Sequence, residues 1–162
     1  MLLALIIGIC FCLLLMTFSY KYYARLRFFL ATERWLGGME LNINFLQKDV
    51  LSILNAQKET RSITFESMLK SYKTLLNDND KKKFYESINN LNYVNDEDKE
   101  RLYDYFSMLG HSDCDTQTQS TRALVEYVKS RIILCRQEIN QKALVIQKLS
   151  IILGLVVFIL LV

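Results

Sequence analysis

The apolar residues of this chain are concentrated at its two ends. Residues 1–18 contain no charged side chain and neither do residues 149–162, so every charged residue lies between these two runs. A helix needs roughly 20 apolar residues to span a bilayer. The second run reaches that length when the helix begins near Ala143, because Lys148 can extend its amine to the lipid headgroups. The pattern therefore predicts transmembrane helices at 1–18 and 149–162, with a polar domain at 19–148.

The N-terminal run has a competing interpretation as a cleaved signal peptide. No basic residue precedes the run, and no small-x-small cleavage site follows it. Signal peptides normally have both features. We therefore expect an uncleaved membrane anchor.

The polar domain has the spacing of amphipathic helices and no sustained two-residue alternation, so no sheet is predicted. The chain also has no proline, the residue that most strongly interrupts a helix. Two stripes with three- and four-residue steps mark the longest helices: Leu36, Met39, Ile43, Leu46, Val50 and Ile53, and then Leu124, Val128, Ile132, Cys135, Ile139, Ala143 and Ile146. Gly37 and Gly38 interrupt the first stripe, which predicts a bend or a close partner backbone.

Three shorter helices are predicted between the two stripes, starting near Ser62, Asp80 and Asn95. Ser62 and Asp80 can cap the first two because their side chains accept hydrogen bonds from unpaired backbone N–H groups. The acidic run at 95–98 suits the helix dipole at the start of the third. The predicted fold class is therefore all-α. It is a small antiparallel helical bundle whose two longest helices continue the N-terminal and C-terminal transmembrane helices.

Basic residues flank both apolar runs. Those after the first run include Lys21, Arg25 and Arg27, and those before the second include Lys142 and Lys148. Because basic residues next to a span favour the cytoplasmic side, the domain 19–148 is predicted to be cytoplasmic. Acidic residues outnumber basic ones farther from the runs, so this part repels nucleic acid. It is either a solvated surface or one that meets a basic protein.

The only histidine, His111, lies in a stretch that resembles a reactive site. Asp113, Cys114 and Asp115 follow it, and these residue types bind zinc or assist a nucleophile. The sequence has no phosphate-binding loop, no H-E-x-x-H and no G-x-S-x-G, and its cysteines lack zinc-finger spacing. We therefore predict no catalytic residue, metal site, cofactor or small-molecule substrate. A membrane-bound metalloenzyme centred on His111 is a minor alternative.

The same stretch has the residues of a turn between two helices. Gly110 can adopt the left-handed conformation that closes a helix ending at Leu109. Ser112 or Asp113 can cap the next helix, and Gln117 lies about one turn inside it. We therefore predict that Leu109, Gly110, Asp113 and Gln117 form a structural corner.

The corner and the helix after it resemble the stage III sporulation protein AB family of endospore-forming bacteria. The corner reads L-G-x-x-D-x-x-x-Q, and a long charged helix then leads to "LGLVVFILLV". A weaker match is "MELNINF", where Glu40 and Ile43 resemble a helix-packing pattern of the family. Ser150 replaces the first of two glycines in the family's last span, and Gly154 keeps the second. The pair still predicts a packing face for another membrane helix.

The resemblance implies a function that composition does not. The family is similar to the inner-membrane platform proteins of type II secretion and type IV pilus machines, and its members are thought to belong to a channel complex between mother cell and forespore. It implies other channel subunits and a companion cytoplasmic ATPase as partners. It also implies that the chain lies in the mother-cell membrane facing the forespore. The chain would be a non-catalytic subunit required for sporulation. The alternative is a membrane-tethered coiled-coil adaptor or signalling regulator, with the repeat at 36–53 as its dimer seam.

Overall fold

Every regular element in the described part of the chain is a helix. A computed structural model describes residues 2–42, 50–56, 62–78, 80–110 and 113–161. In chain order, the elements are α1 (Leu2–Leu41), α2 (Val50–Ala56), α3 (Ile63–Asp78), α4 (Lys81–Asn89), α5 (Asp96–Met108), α6 (Cys114–Glu138), a π-helical segment (Ile139–Ala143) and α7 (Leu144–Leu161). No strand occurs in these ranges, which confirms the all-α prediction. Ile43, His111 and Ser112, which the sequence singled out, lie outside them.

The chain divides into two compact units. One comprises residues 1–26 and 133–162, and the other comprises residues 27–132. The predicted boundaries at 18 and 149 concern the bilayer, which these units do not define, so they stay predictions.

The three short helices begin where their polar residues predict. The Ser62 hydroxyl accepts a hydrogen bond from the backbone N–H of Phe65 at 3.4 Å, and α3 follows it. The Asp80 carboxylate accepts one from the N–H of Lys83 at 3.0 Å at the start of α4. α5 begins after Asn95 with three acidic residues in its first turn, where the helix dipole favours negative charge.

Aromatic side chains form the centre of the 27–132 unit. Trp35 of α1, Phe65 and Tyr72 of α3, Phe84 of α4 and Phe106 of α5 are each 3% exposed or less. The ring centroids of Tyr72 and Phe106 lie 4.8 Å apart, and those of Trp35 and Phe106 lie 5.2 Å apart. Such a pair contributes about 0.5–1.5 kcal/mol beyond the area it buries. The ring contacts therefore hold four helices together.

The first apolar stripe is buried where the structure describes it. Leu36 and Met39 near the end of α1 are each 0% exposed, and Val50 and Ile53 of α2 are 6% and 2% exposed. Ile43 and Leu46 lie outside the described residues. Gly37 and Gly38 are helical, and a Cβ on Gly37 would meet no described atom within 4 Å. Close approach of another part of the described chain is therefore not the reason for Gly37.

The second stripe is buried from Leu124 to Ala143, as predicted, but it contains a π-helical segment that the sequence did not indicate. The N–H of Leu144 donates to the carbonyl of Ile139, five residues earlier. Cys135, Ile139 and Ala143 are separated by two four-residue steps. Together, the two steps cover more residues than two helical turns of about 3.6 residues each. The wider π turn takes up the surplus and keeps the stripe on one face.

Among the described residues, one helical stretch is long and apolar enough to cross a membrane. It is Cys114–Leu160, which is 47 residues long. Its most apolar part has a mean hydropathy of 2.5, and only 17% of that part is buried. The core helix of a soluble protein would be mostly buried, so this stretch indicates a membrane association. Two spans were predicted from the sequence. The first, 1–18, is helical from Leu2, but no second element of this kind was found among the described residues, so this span stays a prediction.

Candidate functional site

The corner between α5 and α6 is closed by Gly110. Its φ is +87°, in the left-handed region that side chains disfavour. The carbonyl of Leu109, which is 3% exposed, accepts a hydrogen bond from the Tyr72 hydroxyl at 3.2 Å. A Cβ on Gly110 would lie 3.6 Å from the Cγ2 atom of Val50, an ordinary van der Waals distance. The conformation of Gly110, and not lack of space, therefore requires a glycine.

Asp113 caps the start of α6. Its carboxylate accepts hydrogen bonds from the backbone N–H of Thr116 at 3.1 Å and from the Thr116 hydroxyl at 2.6 Å. These bonds favour the charged form, so the pKa of Asp113 lies below its usual value. The negative charge also suits the positive end of the helix dipole. Ser112, the other candidate cap, lies outside the described residues.

A chain of hydrogen bonds joins the first turns of α6 to α5. The N–H of Gln117 donates to the carbonyl of Asp113 at 3.0 Å, and the Thr121 hydroxyl donates to the carbonyl of Gln117 at 2.7 Å. Because the proton of Thr121 is used there, the Tyr105 hydroxyl donates to the Thr121 oxygen across 3.0 Å. Burial raises the pKa of Tyr105 to about 12, so this donor keeps its proton at physiological pH.

A buried ionic cluster also joins α5 to α6. The carboxylate of Asp98, with no exposed side-chain surface, accepts hydrogen bonds from the Tyr127 hydroxyl and the Arg131 Nε, each at 2.5 Å. Arg131 also lies 3.8 Å from Glu97, and the Arg101 guanidinium lies 4.4 Å from the Tyr127 ring centroid. A buried pair of this kind adds little net stability but is costly to break. Its position therefore fixes which faces of α5 and α6 meet.

The unit of residues 1–26 and 133–162 contains polar contacts between α1 and the C-terminal helices. Arg25 forms a salt bridge with Glu138 at 3.2 Å. The Gln147 amide lies 3.4 Å from both the Ser19 and the Tyr23 hydroxyl oxygens. The two apolar segments therefore belong to helices that contact each other beside their basic flanks.

The structure places the other predicted residues separately. Glu40 forms a salt bridge with Arg122 of α6 at 2.7 Å. Ser150 is 1% exposed and Gly154 is buried, so neighbouring parts of the same chain cover both. The flanking basic residues Lys21, Arg27, Lys142 and Lys148 are exposed, and Arg25 is half-buried. Ile43 lies outside the described residues.

The described residues do not assemble a metal site. No group of three or more histidine, cysteine, aspartate or glutamate side chains within the described ranges could hold a metal ion. His111, on which the metalloenzyme alternative depends, lies outside those ranges.

Comparison with known proteins identifies the family. The family model of stage III sporulation protein AB (spore_III_AB) matches residues 1–162, the whole chain. The chain belongs to this family. Comparison with the curated proteins and with the solved structures found no match. The match confirms the resemblance drawn from the corner and the C-terminal helix, and the family is one of sporulation proteins and not a known enzyme family.

Sequence reasoning missed the cluster of Asp98, Tyr127 and Arg131. Asp98 is the last of three consecutive acidic residues at the start of α5, and each of them has the same explanation as a partner of the helix dipole. Tyr127 and Arg131 are four residues apart on α6 and so share a helix face. That spacing was the one available signal, and it did not indicate which carboxylate the face would meet.

Proposed function

We propose that this chain is a non-catalytic platform subunit of a secretion-like channel between mother cell and forespore. The family match over the whole chain supports a role in sporulation. The observation that carries the finer proposal is the stretch Cys114–Leu160, in which one helix supplies both a face of the helical core and an exposed apolar segment. A subunit built in this way can anchor soluble partners at a membrane without chemistry of its own.

The proposed arrangement has two membrane spans, 1–18 and 149–162, and a cytoplasmic domain between them. The salt bridge between Arg25 and Glu138 and the contacts of Gln147 with Ser19 and Tyr23 support spans that pack together. Exposed lysines on both flanks suit the anionic headgroups of the cytoplasmic leaflet. The proposed location is the mother-cell membrane facing the forespore.

The proposed partners are other channel subunits and a companion cytoplasmic ATPase. The sequence has no nucleotide-binding loop, so a motor activity would have to come from another protein. The adaptor alternative needs its dimer seam on the surface. Leu36, Met39, Val50 and Ile53 are all buried within this chain, which favours the platform proposal over the adaptor.

Purification from sporulating cells tests the platform role. The tagged full-length chain is extracted in mild detergent, and co-purifying proteins are compared with those of an equally tagged, unrelated membrane protein. We expect the companion ATPase or another subunit of the channel to be enriched with this chain alone. Recovery of no other component of such a machine would refute the proposal.

The native Cys114 tests the orientation because its side chain is exposed. The chain is produced in non-sporulating cells, in which the outer face of the cell membrane meets the medium. A membrane-impermeant maleimide added to intact protoplasts should leave Cys114 unlabelled, and labelling should appear after permeabilisation. The Cys114→Ser variant is the control. A cysteine appended after Val162 in that variant should be labelled in intact protoplasts. Labelling of Cys114 from outside would contradict a cytoplasmic domain.

A further inference from the structure

A groove runs between α4 and α5 on the surface of the 27–132 unit, and one half of it is acidic. This half has a volume of about 480 Å³, and its charged lining consists of the carboxylates Asp96, Glu100 and Asp104 and one cation, Lys99. Tyr85, Ile88, Asn89 and Tyr103 complete it. Tyr85 is 52% exposed, and the three carboxylate residues are exposed as well. None of these residues has a role in the corner, in the ionic cluster or in the membrane segments.

The other half of the groove is apolar. It also has a volume of about 480 Å³, and its lining is mainly apolar: Leu75, Leu76, Phe84, Tyr103 and Phe106, with Lys81 and Ser107 as its polar members. Tyr103 lines both halves, so the two cavities adjoin along α5. Leu75 and Leu76 are half-buried, which leaves part of their surface accessible from the groove. One ligand could therefore place an apolar group in one half and a polar group in the other.

The Tyr103 ring lies where the two halves meet. The Tyr103 ring stacks on Phe84 with centroids 5.9 Å apart, and it meets the Tyr85 ring edge-on at 5.5 Å. Phe84 is 0% exposed and so holds Tyr103 in place from below. An exposed tyrosine face attracts guanidinium and ammonium groups. The aromatic part of the groove therefore favours a cation as well as an apolar side chain.

The acidic side of the groove carries charge that does not help α5 to fold. Asp96, Glu100 and Asp104 are spaced four residues apart, so they lie on one helix face and repel each other. Lys99 lies 3.2 Å from Asp96, while Glu100 and Asp104 form no salt bridge with any described residue. Asp104 also lies in the C-terminal half of α5, toward the negative end of the helix dipole. A basic partner would relieve both of these unfavourable effects.

We propose that this groove binds a segment of a partner protein in which an apolar side chain is followed by arginine or lysine. The apolar side chain occupies the half lined by Leu75 and Leu76. The basic side chain lies against Tyr85 and between the carboxylates of Glu100 and Asp104. The negative rim excludes anionic lipid headgroups and nucleic acid. The proposal rests on the platform role for its place in the cell, but the groove can be tested separately.

The test uses the full-length chain in nanodiscs of zwitterionic lipid and a fluorescein-labelled Leu-Leu-Gly-Arg-Arg peptide. We expect saturable binding by fluorescence anisotropy that weakens as salt is raised. Leu-Leu-Gly-Glu-Glu should not bind, and Ser-Ser-Gly-Arg-Arg should bind more weakly. The double variant Glu100→Gln/Asp104→Asn, and separately Tyr85→Ala, should each weaken binding about tenfold, as expected for residues at the centre of an interface. The matched control is Glu86→Gln/Glu126→Gln, which removes the same charge outside the groove and should bind like the unmodified chain.

Three outcomes would overturn the proposal. The first is equal binding of the acidic and basic peptides, and the second is an equal loss in the groove variant and its control. The third is peptide-independent self-association that Glu100→Gln/Asp104→Asn abolishes, because the groove would then hold a second copy of this chain. If the peptide does not bind but channel components still co-purify, the groove proposal fails and the platform proposal stands.

Discussion

Separating Asp98 from Arg131 should be the most damaging change to the bundle outside its apolar core. The carboxylate of Asp98 has no exposed surface, whereas 15% of the Arg131 side chain is exposed. Removing one partner of a buried ion pair costs about 3–5 kcal/mol because the other charge stays buried. The two single variants should therefore differ according to which charge is left behind.

The loss of stability caused by Arg131→Ala should lie at the upper end of that range. The substitution leaves a carboxylate with no exposed side-chain surface buried after the Arg131 charge has been removed, while the Tyr127 hydroxyl still donates to it. Asp98→Ala should lie at the lower end, because Arg131 keeps some access to water and has Glu97 at 3.8 Å. The double alanine variant should be less destabilised than the sum of the single ones. This non-additivity is expected of two residues that act as one interaction.

Trp35 provides the assay. It is the only tryptophan of the chain, it is 3% exposed, and its ring packs 5.2 Å from that of Phe106. Thermal unfolding of the detergent-solubilised full-length chain is followed by its fluorescence. A loss of about 3 kcal/mol should lower the midpoint by roughly 6–12 °C for a chain of this size. Additive single variants, or an Asp98→Ala variant less stable than Arg131→Ala, would refute the reasoning.

Three further predictions use the same midpoint or a pH titration. Gly110→Ala should destabilise the chain by roughly 1–2 kcal/mol because of its positive φ. The matched Gly37→Ala should stabilise it by about 0.5–1 kcal/mol, because Gly37 is helical and has open space at Cβ; equal effects of the two would contradict the assigned conformations. Asp113→Ala should lower the midpoint near neutral pH. This difference should vanish in acid, because the lowered pKa of Asp113 stabilises the fold only while the carboxylate is charged. His111→Ala should change the midpoint little. Tyr105 and Tyr127 have a pKa raised from 10.0 to about 12, chiefly by burial, so their contribution is complete below pH 10.0 and is lost as the pH rises through about 12. Unfolding in alkali should then coincide with the tyrosinate absorbance of these two residues in that window. Ionisation of all nine tyrosines without unfolding would contradict this prediction.

Features that depend on neighbouring residues were predictable from the sequence. The apolar spacing and the absence of proline indicated helices, and Asp80 and Asp113 accept the backbone hydrogen bonds that end-capping residues make. The left-handed Gly110 follows from the same logic, because glycine alone adopts that conformation without strain. In each case the residue and its partner are at most four positions apart. The sequence therefore contains the whole interaction in one short window.

Features that depend on distant partners were not predictable in the same way. Asp98 and Arg131 are 33 residues apart. The neighbouring acidic residues Asp96, Glu97 and Glu100 were equally plausible partners for Arg131 on sequence alone. The groove likewise depends on how α3, α4 and α5 pack, since its lining comes from all three. Periodicity shows which face of a helix is apolar, but it does not show which polar residues the packing then buries together.

The small residues of the last helix show how the fold makes an interpretation from the sequence more specific. Ser150 and Gly154 were expected to pack against another membrane helix. Both are buried by this chain alone, in the unit that also contains the first 26 residues, where Gln147 reaches Ser19 and Tyr23. In lipid, a polar side chain without a partner is costly, so these contacts favour association of the two helices within the chain. The surface that remains for other subunits is then the large apolar one of α7, which includes Leu149, Ile152 and Leu160. Partners in the membrane should therefore be sought by substitutions on that face and not at Ser150 or Gly154.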